Sequence, residues 1–165
     1  MSVGKGVFRA MKPPIVYVDA DACPVKREII ETCRAFGVRV VLVASHAHRM
    51  PEAGDGVDVV QVDRAGQSAD LAIANRIGRG DVLVTQDFGL AALALARGAA
   101  VLSERGREYR PETIDALLAS RHAAAKARRG GGRTKGPAAF AGEDRRKFLQ
   151  TLTKVLRRLQ ENFSL

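Results

Sequence analysis

Three aspartates stand where an α/β protein would do chemistry. Asp19 ends the apolar run Ile15-Val16-Tyr17-Val18. Asp87 closes Thr85-Gln86-Asp87, just after Val82-Leu83-Val84, and Asp70 lies in the first turn of a helical stretch leading to that second run. An unpaired carboxylate ending a buried strand is costly, so Asp19 needs a reason to be there. Asp70, Asp87 and Asp21 each have an ordinary one, because aspartate at a helix start accepts free N–H groups and meets the positive end of the helix dipole. As a set they are harder to explain. If Asp19, Asp70 and Asp87 meet at about 5 Å, each pair repels by roughly 3 kcal/mol at an effective dielectric near 20, or about 10 kcal/mol in all. That rivals the ~5–15 kcal/mol stability of a whole domain. Such a cluster takes up protons or holds a cation. With oxygen ligands only, and Asp21 as a fourth candidate, the cation is Mg²⁺ or Mn²⁺. The matching chemistry is phosphodiester hydrolysis, in which the ion activates water and stabilises charge on the phosphate.

Other residues reach the same edge. Ser45, His46 and His48 follow the apolar run 38–44, and Thr85 follows 82–84, so Ser45, His46 and Thr85 are further site candidates. His46-x-His48 is more often structural than metal-binding. Cys23, between Asp21 and Pro24, has no indicated His or Asn partner and reads as a packed thiol rather than a nucleophile. The second cysteine is Cys33, and the absence of CxxC excludes a zinc ribbon and a disulfide framework.

Charge separates the chain into two parts. Residues 1–119 hold 15 Lys and Arg against 15 Asp and Glu, whereas 120–165 hold 12 against 3, which accounts for the whole net charge of +9. A neutral body with a basic tail fits a polyanionic partner, and RNA is the expected one. A merely solubilising tail is the ordinary alternative. Arg121, Arg128, Arg129, Arg133, Lys135 and Arg145 are the candidate phosphate contacts. Aromatics are only 5% with no Trp, so base stacking is a minor theme. No apolar run approaches the ~18 residues of a membrane span. Residues 1–14 are basic, lack a signal-peptide core and read as an extension, with Met11 a second possible start and the cytoplasm the expected compartment.

The elements that must position these residues alternate. Apolar runs at 15–18, 38–44, 57–62, 82–84 and 99–102 read as strands buried on both faces, hence a parallel sheet. Between them lie helical stretches. One has Pro24 as its first position, the stripe Val25, Ile29, Ile30, Cys33 and Phe36, and a stop at Gly37. A second is capped by Ser68 and stops at Gly78, and a third runs over 88–97. The expected fold is a three-layer α/β sandwich with a five-stranded parallel sheet, order 3-2-1-4-5, in one domain over 15–165. That order puts the first and fourth strands side by side at the topological switch point, where ligands bind. Beyond it the sequence predicts a helix over 111–127, a flexible basic loop over 128–137 and an amphipathic helix over 143–163. The basic loop and helix together span 121–163.

A family pattern is recognisable in these motifs. Val18-Asp19-Ala20-Asp21-Ala22-Cys23-Pro24-Val25-Lys26, Gln67-Ser68-Ala69-Asp70 and Val84-Thr85-Gln86-Asp87 with Leu90-Ala91 resemble the bacterial YaiI/YqxD family. Arg105-Gly106, Arg121, Arg129, Gly136-Pro137, Asp144-Arg145 and Phe148 are similar too, so the resemblance covers about 15–159. The family has no settled biochemical function. It is grouped by fold with PIN-like domains, many of them metal-dependent ribonucleases. The resemblance therefore implies acidic roles for Asp19, Asp70 and Asp87, with Asp21 a fourth candidate. Ser103-Glu104, after the last strand, is only loosely of that kind.

Two other functions compete. Asp19-x-Asp21 after a strand also resembles haloacid-dehalogenase-like phosphatases, with Asp19 as nucleophile, Asp21 as acid/base and Ser45 ending the second strand. Against this, Gly80-Asp81 precedes a strand rather than following one, and Thr85 stands where the second late aspartate belongs. The third reading is a non-catalytic RNA-binding module with a vestigial acidic cluster.

Overall fold

Valine, isoleucine and leucine crowd the inner strands because both faces of the sheet are covered there, whereas the edge strand 57–61 keeps Asp58 and Gln61 exposed. The computed structural model describes residues 12–45, 50–51, 54–63, 66–132 and 138–164. Its strands are β1 (Ile15–Asp19), β2 (Arg39–Ala44), β3 (Val57–Gln61), β4 (Val82–Val84), β5 (Ala100–Leu102) and β6 (Glu108–Tyr109). They form one sheet in the order β3-β2-β1-β4-β5-β6. The first five strands are parallel in the expected order. The sheet is nevertheless six-stranded and mixed, because β6 adds antiparallel to β5. A strand of two residues has no periodicity for sequence reasoning to detect.

The described helices are α1 (Lys26–Phe36), α2 (Gly66–Ala74), α3 (Phe88–Ala96), α4 (Pro111–Arg129) and α5 (Gly142–Ser164). Side chains of a strand alternate between faces, and the two faces make separate cores. Val16 and Val18 of β1 pack with Ile29 and Cys33 of α1 and with Phe148, Leu152, Val155 and Leu156 of α5. Tyr17, Val43 and Leu83 pack on the other face with Ile73 of α2, Leu90, Ala91 and Ala94 of α3, and Ile114 of α4. The result is the three-layer sandwich. None of the described helices is long and apolar enough to cross a membrane.

Several helix ends differ from expectation. Pro24 lies outside α1, which begins at Lys26 after Val25. Gly37 ends it as expected, at φ +68°, a left-handed conformation that glycine adopts without steric penalty. Ser68 lies inside α2 rather than capping it, and the helix ends at Ala74, short of Gly78. The expected flexible loop also begins later, because Arg128 and Arg129 belong to α4. With Lys126 they fill its last turn, where positive charge meets the negative end of the helix dipole. Gly106 has a packing reason. A Cβ there would come within 2.5 Å of the Lys147 carbonyl carbon, so α5 rests directly on backbone.

Candidate active site

The register of β1 on β4 pairs Val18 with Val84, which brings Asp19 beside the buried Thr85 one residue on. The Thr85 hydroxyl donates to Asp19 Oδ2 at 3.2 Å and accepts from the Asp87 backbone N–H at 3.0 Å. Asp87 in turn caps α3, its Oδ1 accepting from the Leu90 N–H at 3.0 Å. The ordinary reading of Asp87 as a cap is therefore correct, and the cap faces the site. Asp70 is not a cap: α2 carries no acid in its first turn, and Asp70 stands just beyond it.

Electrostatics tie these carboxylates together. Burial pushes the Asp19 carboxyl above its ordinary range; the Thr85 hydrogen bond opposes this, while Asp70, Asp21 and Asp87 push it further up. Asp70 is raised by burial and then by Asp87, and the Arg121 guanidinium opposes both. Arg121 Nη1 lies 3.6 Å from Asp87 Oδ1.

Asp21 is engaged elsewhere. It accepts the Ser45 N–H at 2.9 Å and the Ser45 hydroxyl at 2.6 Å, joining the ends of β1 and β2. A carboxylate held this way is poorly placed to shuttle the proton that a phosphatase of the Asp-x-Asp kind requires. Cys23 is buried and its thiol is pushed up to about 12, first by burial and then by Glu104, so it is no nucleophile at neutral pH. Lys26 Nζ donates to the carbonyls of Ala20 at 3.1 Å and Cys23 at 2.7 Å, closing the turn after β1.

Glu104 is the residue that sequence reasoning undervalued. It is 3% exposed, accepts from Gln86 Nε2, and has the Cys23 thiol as a hydrogen-bonding neighbour. Burial raises its carboxyl, and Asp19 adds to the rise. The available signal is its place: it stands two residues after β5, at the sheet edge where Asp19 ends β1. Beside this edge, between α2 and α3, a shallow groove of about 360 Å³ opens next to Asp70, with Leu71 and Leu93 exposed along it.

The basic candidates divide. Arg121 reaches the carboxylates, and Arg128 and Arg129 end α4. Arg145 is engaged by α1, donating to Glu28 Oε1 at 2.5 Å and the Pro24 carbonyl at 3.1 Å, with its guanidinium 5.3 Å from the Phe140 ring centroid. These contacts give Arg145 a structural role in tying α5 to α1. His46, Arg133 and Lys135 lie outside the described residues.

A cation fits the donor chemistry of this edge, which is all oxygen. Among the described residues no three His, Cys, Asp or Glu side chains come together in a group that could hold a metal ion. Mg²⁺ is commonly held by only one or two carboxylates, with waters and substrate phosphates completing its shell.

Comparison with known proteins places the chain. Residues 17–158 match the model of the uncharacterised bacterial YaiI/YqxD family. The chain belongs to the YaiI/YqxD family. A relative in Bacillus velezensis named UPF0178 protein is 49% identical over 145 residues, covering 88% of this chain and 86% of its own. One in Shouchella clausii is 47% identical over 144 residues, covering 87% and 93%. One in Enterococcus faecalis is 41% identical over 144 residues, covering 87% and 97%. No solved structure matches. The YaiI/YqxD match begins within β1 and ends within α5, so it takes in every residue of the carboxylate edge.

Proposed function

We propose that the carboxyl edge of the sheet is the active site of a divalent-cation-assisted nuclease of PIN-like type, cutting RNA phosphodiester bonds in the cytoplasm. The supporting observation is the electrostatic state of Asp19. It ends the central strand, is partly buried, and meets the charges of Asp70, Asp21 and Asp87 at once. A structural aspartate gains nothing from three like-charged neighbours, whereas a cation or a proton relieves all of them.

The parts divide the work. Asp19, oriented by Thr85, and Asp87, held at the α3 N-terminus, offer oxygens from fixed positions. Asp70 adds charge from α2. Asp19 and Asp87 would hold Mg²⁺ or Mn²⁺ there, and the chemistry such an ion would supply is Lewis acidity and charge neutralisation at the phosphate. Arg121, Arg128 and Arg129, with Arg133 and Lys135, meet backbone phosphates, which carry affinity without sequence preference.

The test uses the whole chain and end-labelled RNA with Mg²⁺ or Mn²⁺. Cleavage should stop in EDTA and in Asp19→Asn, and calorimetry should show weaker Mn²⁺ binding by that variant. RNA retained but never cut would leave a binding module in place of the nuclease.

A further inference from the structure

Arg121 and Asp87 form a loose ion pair at the carboxylate edge. At 3.6 Å it is too long for a hydrogen bond, and the two side chains are 58% and 33% exposed. Pairs this open to water hold weakly and yield to a better partner. Their backbones, by contrast, are fixed. α4 packs along α3, and Asp87 is bound into the first turn of α3 through the Leu90 N–H. Only the guanidinium needs to turn. Arg145 shows what a committed arginine looks like here, with two hydrogen bonds and a ring beneath it.

Resting on the phosphodiester reading above, we infer that Arg121 is an exchangeable phosphate receptor: Asp87 holds it in the empty site, and a backbone phosphate of the nucleic acid takes it over. A phosphate offers the planar fork of arginine two parallel charge-assisted hydrogen bonds, which Asp87 at its present distance does not. After the exchange Asp87 stays stabilised by the α3 N-terminus, so losing Arg121 does not strand its charge. Docking of the polyanion thereby bares the carboxylates at the moment the substrate reaches them. The exchange also takes from Asp70 a positive neighbour that opposes burial and Asp87 there.

A double-mutant cycle on RNA binding in EDTA tests this, with a short single-stranded oligonucleotide as probe. Asp87→Asn suits the cycle because asparagine caps helices as well as aspartate does, so α3 keeps its start. In the wild-type background it should release Arg121 and tighten binding about fivefold, the size of an exposed ion pair. Arg121→Gln should weaken binding and flatten the salt dependence by about 0.7 in log–log slope, one lost phosphate contact. In the R121Q background, D87N should tighten binding less than twofold. Arg121→Lys, which keeps the charge but not the fork, should fall between wild type and R121Q. Equal tightening by D87N in both backgrounds, an R121Q slope matching wild type, or no RNA binding by wild type at low salt would each overturn the exchange. With no turnover in EDTA, these results stand apart from the cleavage assay, so failure of the nuclease reading is visible separately.

Discussion

Asp81 and Asp19 occupy opposite ends of the neighbouring strands β4 and β1, and their surroundings are opposite in kind. Asp81 is 1% exposed and fully provided for. It accepts the Ile15 N–H at 3.1 Å and the Gly78 N–H at 2.9 Å, and it pairs with Lys12. Among the described residues, Asp19 accepts from the Thr85 hydroxyl and faces the like charges of Asp70, Asp21 and Asp87. Burial alone therefore does not mark a functional carboxylate. The mark is burial without enough compensation, because a fold shaped only for stability would have supplied donors, as it does at Asp81.

The largest effect should come from breaking the provided end. Asp81→Ala strips an acceptor from two partly buried N–H groups and a partner from Lys12, which should cost about 2–4 kcal/mol. For a chain of this length each kcal/mol moves Tm by about 2–4 °C. Thermal unfolding followed by circular dichroism should register the loss. A variant that melts with wild type would erase the contrast between the two ends.

The contrast also explains what could be read in advance. The strand order, which sets the end of β1 beside the end of β4, is legible because Val-rich runs ending in Asp follow from burial on two faces and from right-handed crossovers. The place of Glu104 after the last parallel strand is legible too, but its burial is not, because nothing local distinguishes a buried glutamate from an exposed one at a strand end. β6 was too short to show a pattern. Arg128 and Arg129 were assigned by composition to the glycine-rich stretch that follows, although the helical 111–127 segment before them simply continues. Arg145 was read from its basic neighbours, whereas its partners, Glu28, Pro24 and Phe140, come from elements remote in sequence.

A second, smaller effect separates the two basic helices. α5 buries Phe148, Leu152, Val155 and Leu156 completely, while α4 fully buries only Ile114. Arg145 belongs to the structural member of that pair. It ties α5 to α1 through Glu28, and with Arg105 it brackets the Phe140 ring. Arg145→Ala should destabilise the chain by about 1–2 kcal/mol, as charge-assisted hydrogen bonds and ring packing are lost together. RNA affinity should stay unchanged, the reverse of the pattern expected for Arg121→Gln. Weaker RNA binding by a well-folded R145A protein would return Arg145 to the phosphate-contacting set.

The smallest effect has the most informative sign. Asp19, Asp70 and Glu104 all hold their protons to higher pH in the folded chain than in the unfolded one. Between the ordinary carboxylate range and those raised values, the folded state binds more protons, so stability falls as pH rises through that window. Asp19→Asn removes one such group and also the charge that pushes Glu104 up. Its amide oxygen still accepts the Thr85 hydroxyl. At neutral pH, without divalent cations, D19N should therefore melt slightly above wild type, and its Tm should change less between about pH 4 and pH 7. Thermal melts across that range read both quantities. An aspartate serving the fold would behave the other way, with D19N melting lower at neutral pH, and Asp19 would then join Asp81 as a structural carboxylate.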